Sequence, residues 1–298
     1  MEMHDLFKRY LWSITPSDTQ LARARAHRDE VAVRLQVDGI VERKNSGSYI
    51  KKTALYPLED IDVLVGFDGQ LYDRDHERVV SRLHRVLIDK FPTTEVRIQR
   101  HSVGVRFADG VRVDVVPGFQ VPGRPGYHRL RDREHGRWRE TNIALHLEFF
   151  RKRQDEDRRY RDMVKLVKAW KRGRRTGFSS YLMELLVARV FSEGIPQGKD
   201  VALHDFFSWI ARTKLKKPII FNDYYRASDA RYEEAPLVVL DPASWRNNVA
   251  AGLTSDAVNE LVRVADRCRA RANTALNQTS RSAAAAIWDE ILPGFPAR

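Results

Sequence analysis

The apolar positions of this chain recur with two periods. Between residues 60 and 116 the period of two marks strands. Val63-Leu64-Val65 is a continuous apolar run of the kind that fills a buried strand. Val103, Val105 and Phe107 alternate with Gly104 and Arg106, and Val111, Val113 and Val115 alternate with Arg112, Asp114 and Val116. Asp109-Gly110 between them is a two-residue turn signal, so an antiparallel hairpin is expected, stopped by Pro117. Residues 95–99 read as a further strand, and residues 117–127, rich in Gly and Pro, read as a loop. The neighbouring Arg129, Arg131 and Arg133 read as its solvated continuation.

Elsewhere the helical period prevails. Leu6, Tyr10 and Leu11 share one side of a short helix over residues 3–13. Thr15-Pro16-Ser17-Asp18 starts a long helix that runs to about Leu35, with Leu21, Ala24, Val31 and Leu35 on its apolar face. Val79, Val80, Leu83, Val86 and Leu87 predict a helix over residues 76–90. Further helices are expected from Thr141-Asn142 to about Arg153, around Met163, Leu166, Val167 and Trp170, and over residues 182–191, 203–211, 256–275 and 283–291. A strand over residues 236–241 interrupts them. No internal repeat or low-complexity linker appears. The pattern predicts an α+β protein: a mixed-sheet lobe within residues 1–140 and a helical lobe over residues 141–298, with the long N-terminal helix spanning both.

Composition narrows the chemistry. The 298 residues are 43% hydrophobic, enough for a substantial core, and carry a net charge of +12, which suits a polyanionic ligand or partner. A nucleic acid is possible on that account and not required. Cys268 is the one cysteine, so a disulfide within the chain and a cysteine-rich zinc site are excluded. The nine histidines show no His-x-x-x-His pair. Neither a signal-peptide pattern nor an apolar run of membrane length is visible, so a cytoplasmic protein without a membrane partner is expected.

Candidate chemistry gathers between Ser46 and Asp68. Asp60 and Asp62 flank Ile61, so a strand would put both carboxylates on one face. Such a pair repels itself unless a cation binds, and Mg²⁺, which takes oxygen ligands, is the natural guest. Asp114, near the end of the second hairpin strand, offers a third carboxylate. Gly47 lets the backbone approach a ligand, and Ser48 adds a hydroxyl and an N–H. Lys165 and Lys168 share a neighbouring helix face, where they can meet phosphate or remain surface lysines. Ser179 or Ser180 can cap the helix that Tyr181 enters, leaving a hydroxyl at an N-terminus suited to phosphate. Asp241, Asn247 and Asn248 read as turn and cap residues.

The segments GSYIKKT, EDIDVLV and VDVVPGF, with the later Ser-Ser-Tyr and Asp-Pro…Asn-Asn-Val, resemble the CD-NTase group of the DNA polymerase β superfamily. That group comprises bacterial cyclic-oligonucleotide synthases related to cyclic GMP-AMP synthase and oligoadenylate synthase. The resemblance covers roughly residues 40 to 255. It implies a polymerase β-like lobe and a helical lobe flanking a central cleft. It also implies that Asp60, Asp62 and Asp114 hold two Mg²⁺ ions, replaceable by Mn²⁺, and that Asp114 accepts a proton. Gly47 and Ser48 would orient the phosphates. Lys168, with Lys165 as second choice, and Ser180 would contact the triphosphate, and Tyr181 would stack on the base. The implied reaction joins NTPs, ATP among them, into a cyclic di- or trinucleotide with loss of pyrophosphate, read by a separate effector in anti-phage defence. Two other readings stay open at this point: template-independent transfer to RNA or tRNA (or linear oligoadenylate synthesis), and a non-catalytic nucleotide sensor.

Overall fold

The computed structural model describes residues 2–134, 136–174 and 177–296. Helices α1 (Met3–Ser13) and α2 (Asp18–Arg34) lead to strand β1 (Ile40–Ser46), the short helix α3 (Gly47–Ile50), strand β2 (Asp60–Phe67) and helix α4 (His76–Lys90). Strands β3 (Glu95–Ile98), β4 (Val103–Arg106), β5 (Arg112–Gln120), β6 (His128–Asp132) and β7 (Arg137–Thr141) follow. Then come α5 (Ile143–Glu156), α6 (Tyr160–Arg172), α7 (Ser180–Val190) and α8 (Lys199–Thr213). Strands β8 (Leu240–Asp241) and β9 (Ser244–Asn248) and helices α9 (Ser255–Leu276) and α10 (Arg281–Ile291) complete the chain. The residues form two compact units: Pro16–Glu148, and Met1–Thr15 together with Phe149–Arg298.

The first unit is built on a mixed sheet in the order β1-β2-β5-β4-β3, with β6 pairing the far end of β5 and β7 pairing β6. Among the described strands of this sheet only β2 and β5 run parallel, and their register sets Asp60 beside Arg112 and Asp62 beside Asp114. A parallel pair needs a crossover. Here α4 and the β3–β4 strands supply it. Asp75 caps α4 by accepting from the N–H groups of Glu77 and Arg78. The apolar stripe of α4, Val79, Val80, Leu83 and Leu87, packs with Val63, Val65, Val103, Val105, Val113 and Val115. Because side chains alternate along a strand, burying these valines turns Asp60, Asp62, Arg112 and Asp114 to the opposite face.

Three local expectations in this unit differ from what is observed. The hairpin loop has three residues: Gly110 N–H donates to Phe107 O at 2.9 Å, and Gly110 takes φ +87°. That is a tight turn followed by a left-handed residue, a geometry that glycine adopts without strain. Pro117 does not stop β5, which continues to Gln120. The β4 ladder ends at Val115 and the β6 ladder begins at Phe119, so the missing N–H of Pro117 can face the gap between them. Arg129 and Arg131 lie in β6, paired with β7, rather than in a loop. This ribbon is polar on both faces and carries no apolar alternation to announce it; ion pairs such as Arg100 Nη2 to Asp132 Oδ2 at 2.5 Å hold it.

The second unit is helical apart from the β8–β9 hairpin. Trp170, Phe206 and Phe207 are fully buried at its centre, with Trp170 and Phe207 ring centroids 5.1 Å apart. α1 belongs here rather than with the sheet, because Phe7 packs edge-on against Trp288 at 5.2 Å and Phe295 at 4.8 Å. The compact sheet unit runs to Glu148, and the first fifteen residues group with the helical unit. Phe7→Ala removes this anchor and should lower the unfolding free energy by about 3–5 kcal/mol. Chemical unfolding, with limited proteolysis within the first fifteen residues, checks it; an unchanged midpoint would show that α1 is not held by this cluster.

Candidate active site

The nine residues singled out from the sequence fall into two groups, one in each unit. In the sheet unit, Gly47, Ser48, Asp60, Asp62 and Asp114 come together. β1 runs antiparallel to β2 with Ser46 opposite Asp62, so the turn from β1 into α3 lies against the acidic end of β2. Gly47 has φ +73°, and a Cβ placed on it would meet Asp62 Oδ2 at 1.8 Å. Only glycine lets the chain pass that carboxylate. Ser48 follows at the start of α3, and its carbonyl accepts the N–H of the buried Thr53 at 2.9 Å.

The parallel register then brings Asp114 beside Asp62. Burial, followed by the charges of Asp60 and Asp114, pushes the Asp62 carboxyl up to about 7; Lys51 and Arg112 oppose the rise. This is excess negative charge of the kind a cation relieves, so the residues present fit a bound divalent ion. Even so, among the described residues no group of His, Cys, Asp or Glu stands ready to hold a metal. The guanidinium of Arg112 lies among these carboxylates. Its Nε is 2.8 Å from Asp114 Oδ1, and its Nη2 is 3.1 Å from Asp60 Oδ2.

In the helical unit, Lys168 lies on α6 and Ser180 opens α7, two helices that pack against each other. Ser179 is the cap of α7, accepting from Leu182 N–H at 3.1 Å, which leaves Ser180 as the first helical residue. Lys168 is buried, with Nζ 3.6 Å from Glu184 Oε1 on α7. Lys165 is drawn elsewhere: its Nζ donates to Thr15 Oγ1 at 3.0 Å, and burial lowers its pKa. The Tyr181 ring is half-buried with its hydroxyl inside, and burial, then the charges of Asp241 and Glu184, holds the phenol well above its ordinary value. Asp241 and Asn248 serve the β8–β9 turn: Asp241 Oδ1 accepts Ala243 N–H at 2.8 Å, and Asn248 Nδ2 donates to Leu237 O at 2.9 Å.

Two residues of these groups escaped the sequence reading. Lys171 Nζ lies 3.4 Å from Ser180 Oγ, so this lysine, rather than Lys165, adjoins the start of α7. Its position one helical turn beyond Lys168 was the available signal. Arg112 stands two residues before Asp114 on the same strand face, a placement that alternation alone could have flagged.

Comparison with known proteins agrees with this geometry. The family model of the Second Messenger Oligonucleotide or Dinucleotide Synthetase (SMODS) domain matches residues 1–153. The CBASS oligonucleotide cyclase CdnC of Escherichia coli strain KTE188 is 30% identical over 259 residues, 83% of this chain and 79% of that protein. The cyclic AMP-AMP-AMP synthase of Escherichia coli strain MS 115-1 is 30% identical over 258 residues, 83% of this chain and 80% of its own. CdnC of E. coli MS115-1, solved with ATP, has a TM-score of 0.86 at 26% identity, covering 97% of both chains. The same CdnC solved in a complex with HORMA-deltaN has a TM-score of 0.85 at 27% identity, covering 98% of this chain and 97% of that one. The polymerase β-like sheet, the helical C-terminal part and these matches identify the chain as a nucleotidyltransferase belonging to the CD-NTase family.

Proposed function

We propose that this nucleotidyltransferase joins NTPs, ATP among them, into a cyclic di- or trinucleotide and releases pyrophosphate. The observation that carries the reading is the register of β2 on β5, which sets Asp62 beside Asp114 with Gly47 pressed against the same carboxylate. The relative that makes cyclic AMP-AMP-AMP and the relative solved with ATP favour adenosine triphosphate and a trinucleotide product.

In this proposal a ribose hydroxyl attacks the α-phosphorus of a bound NTP. The new bond is P–O, the bond that breaks leads to pyrophosphate, and the hydroxyl proton passes to Asp114. Backbone N–H groups around Gly47 and Ser48 orient the phosphates, where any Cβ at position 47 would push the chain away. Lys168, Lys171 and Ser180 supply positive charge and a hydroxyl to the triphosphate tail, and the half-buried Tyr181 stacks on a base. Asp60, Asp62 and Asp114 would hold the two divalent ions of the family. Those ions, when bound, acidify the attacking hydroxyl and neutralise charge on the leaving group. A second attack within the oligonucleotide closes the ring. We place the protein in the cytoplasm, in anti-phage signalling, with an effector that binds the product and a HORMA partner such as the one in complex with its relative. Among the described residues no helix is long and apolar enough to cross a membrane.

Incubation with the four NTPs and Mg²⁺ or Mn²⁺, without any polymer acceptor, should give a cyclic product by mass spectrometry. A product that forms only when RNA is added would sink the reading. Asp60→Ala with Asp62→Ala should abolish pyrophosphate release. Ser180→Ala should raise the NTP KM by about tenfold with a smaller change in kcat, the loss of one hydrogen bond to a charged group.

The raised pKa of Asp62 gives a separate test in EDTA. The folded protein keeps this proton from about pH 4 to about pH 7, where the unfolded chain has already lost it. Stability from this group is therefore greatest at acid pH and is lost as pH rises towards about 7. Asp62→Asn should melt level with the parent near about pH 4 and above it at about pH 8, while releasing no pyrophosphate. Parallel melting curves across that window would contradict the shift.

A further inference from the structure

Arg112 is bound into the acidic face more tightly than a solvated arginine would be. It makes a two-pronged contact with Asp114, Nε to Oδ1 at 2.8 Å and Nη2 to Oδ2 at 3.0 Å, and Nη2 also reaches Asp60 Oδ2 at 3.1 Å. Asp114 Oδ1 accepts a further bond from Gln99 Nε2 at 2.9 Å. Room for this arrangement comes from Gly104, the β4 partner of Asp114. A Cβ there would stand 2.1 Å from Gln99 Nε2 and 2.8 Å from both Arg112 Cδ and Asp114 Oδ1. A side chain at position 104 would displace the ends of Gln99 and Asp114 and the stem of Arg112, so glycine there leaves the network its room.

The same oxygens are those a divalent ion would need. A carboxylate oxygen fully engaged by a guanidinium fork is a poor metal ligand, and a positive charge within this cluster repels an incoming cation. Conversely, three carboxylates gathered with nothing positive among them would destabilise the fold. We propose that Arg112 is an electrostatic latch: it occupies Asp60 and Asp114 in the cation-free protein, keeps that state folded, and must release them when a divalent cation binds. Lysine would be a weak substitute, since an ammonium cannot span both carboxylates in a planar fork. The latch rests on the reading of Asp60, Asp62 and Asp114 as cation ligands.

The test uses metal-stripped protein and Mn²⁺, followed by the EPR signal of the free ion, with thermal unfolding in EDTA alongside. Arg112→Met should melt below the parent in EDTA and bind Mn²⁺ about tenfold more tightly, the coupling expected when a competing charge is removed. Arg112→Lys should fall between the two. Equal or weaker Mn²⁺ binding by Arg112→Met, with the parent binding normally, would overturn the latch and leave the cation site standing. No Mn²⁺ binding by any of the three proteins would remove the cation reading, and the latch with it. Should Arg112→Met fail to fold, the parent suffices. Its Arg112 Nε–H resonance, from ¹⁵N-labelled protein, should shift on saturation with Mg²⁺, and a resonance that stays put while Mg²⁺ raises the melting temperature would refute the exchange.

Discussion

Mutual repulsion of the carboxylates on β2 and β5 is the constraint that shapes the sheet unit. Asp60, Asp62 and Asp114 share one strand face because the other face is filled by valines under α4. Turning the acids away from the core is thus a by-product of burying Val63, Val65, Val113 and Val115. The repulsion is then relieved piecemeal. Arg112 pairs with Asp60 and Asp114, and the Asp62 carboxyl is pushed up to about 7 by burial and by its acidic neighbours.

The helical unit manages its own charge in the interior. Lys168 and Glu184 are both almost fully buried, on α6 and α7, at 3.6 Å. A buried pair of this kind adds little net stability over an apolar pair, yet removing one partner alone leaves a stranded charge. Its value here is direction: the pair holds the ammonium of Lys168 against the helix that begins at Ser180. Lys171, with its Nζ near Ser180 Oγ, extends positive charge towards the first turn of α7. That end of the helix already favours anions through its unpaired N–H groups.

Much of this was legible in the residues. Helices such as α4 announce themselves by a continuous apolar stripe: Val79, Val80, Leu83 and Leu87 are buried, and Val86 is partly so. Asp60 and Asp62 were readable as charge on alternate strand positions, and Gly47 as a close approach of the backbone; that its neighbour is the Asp62 carboxylate came from the structure. The β6–β7 ribbon was not readable. Its side chains are mostly charged on both faces, and charge alternation in a ribbon looks the same as in a loop when no apolar face breaks the symmetry. Pro117 misled for a related reason: a rule about ladder hydrogen bonds fails where neighbouring ladders leave a gap.

From its residue types and spacings alone, this chain determined its amphipathic helices, the strands that alternate apolar and polar residues, and which face of β2 and β5 carries acid. Those properties are local, set by neighbours within a few positions. Tertiary structure decided the parallel register that sets Asp62 beside Asp114, the capture of Asp60 and Asp114 by Arg112, the pairing of Lys168 with Glu184, and the membership of α1 in the helical unit. Each of these joins groups whose separation in the chain, or whose side-chain direction, is fixed only once the core has closed, because burial and charge pairing act through space and not along the sequence.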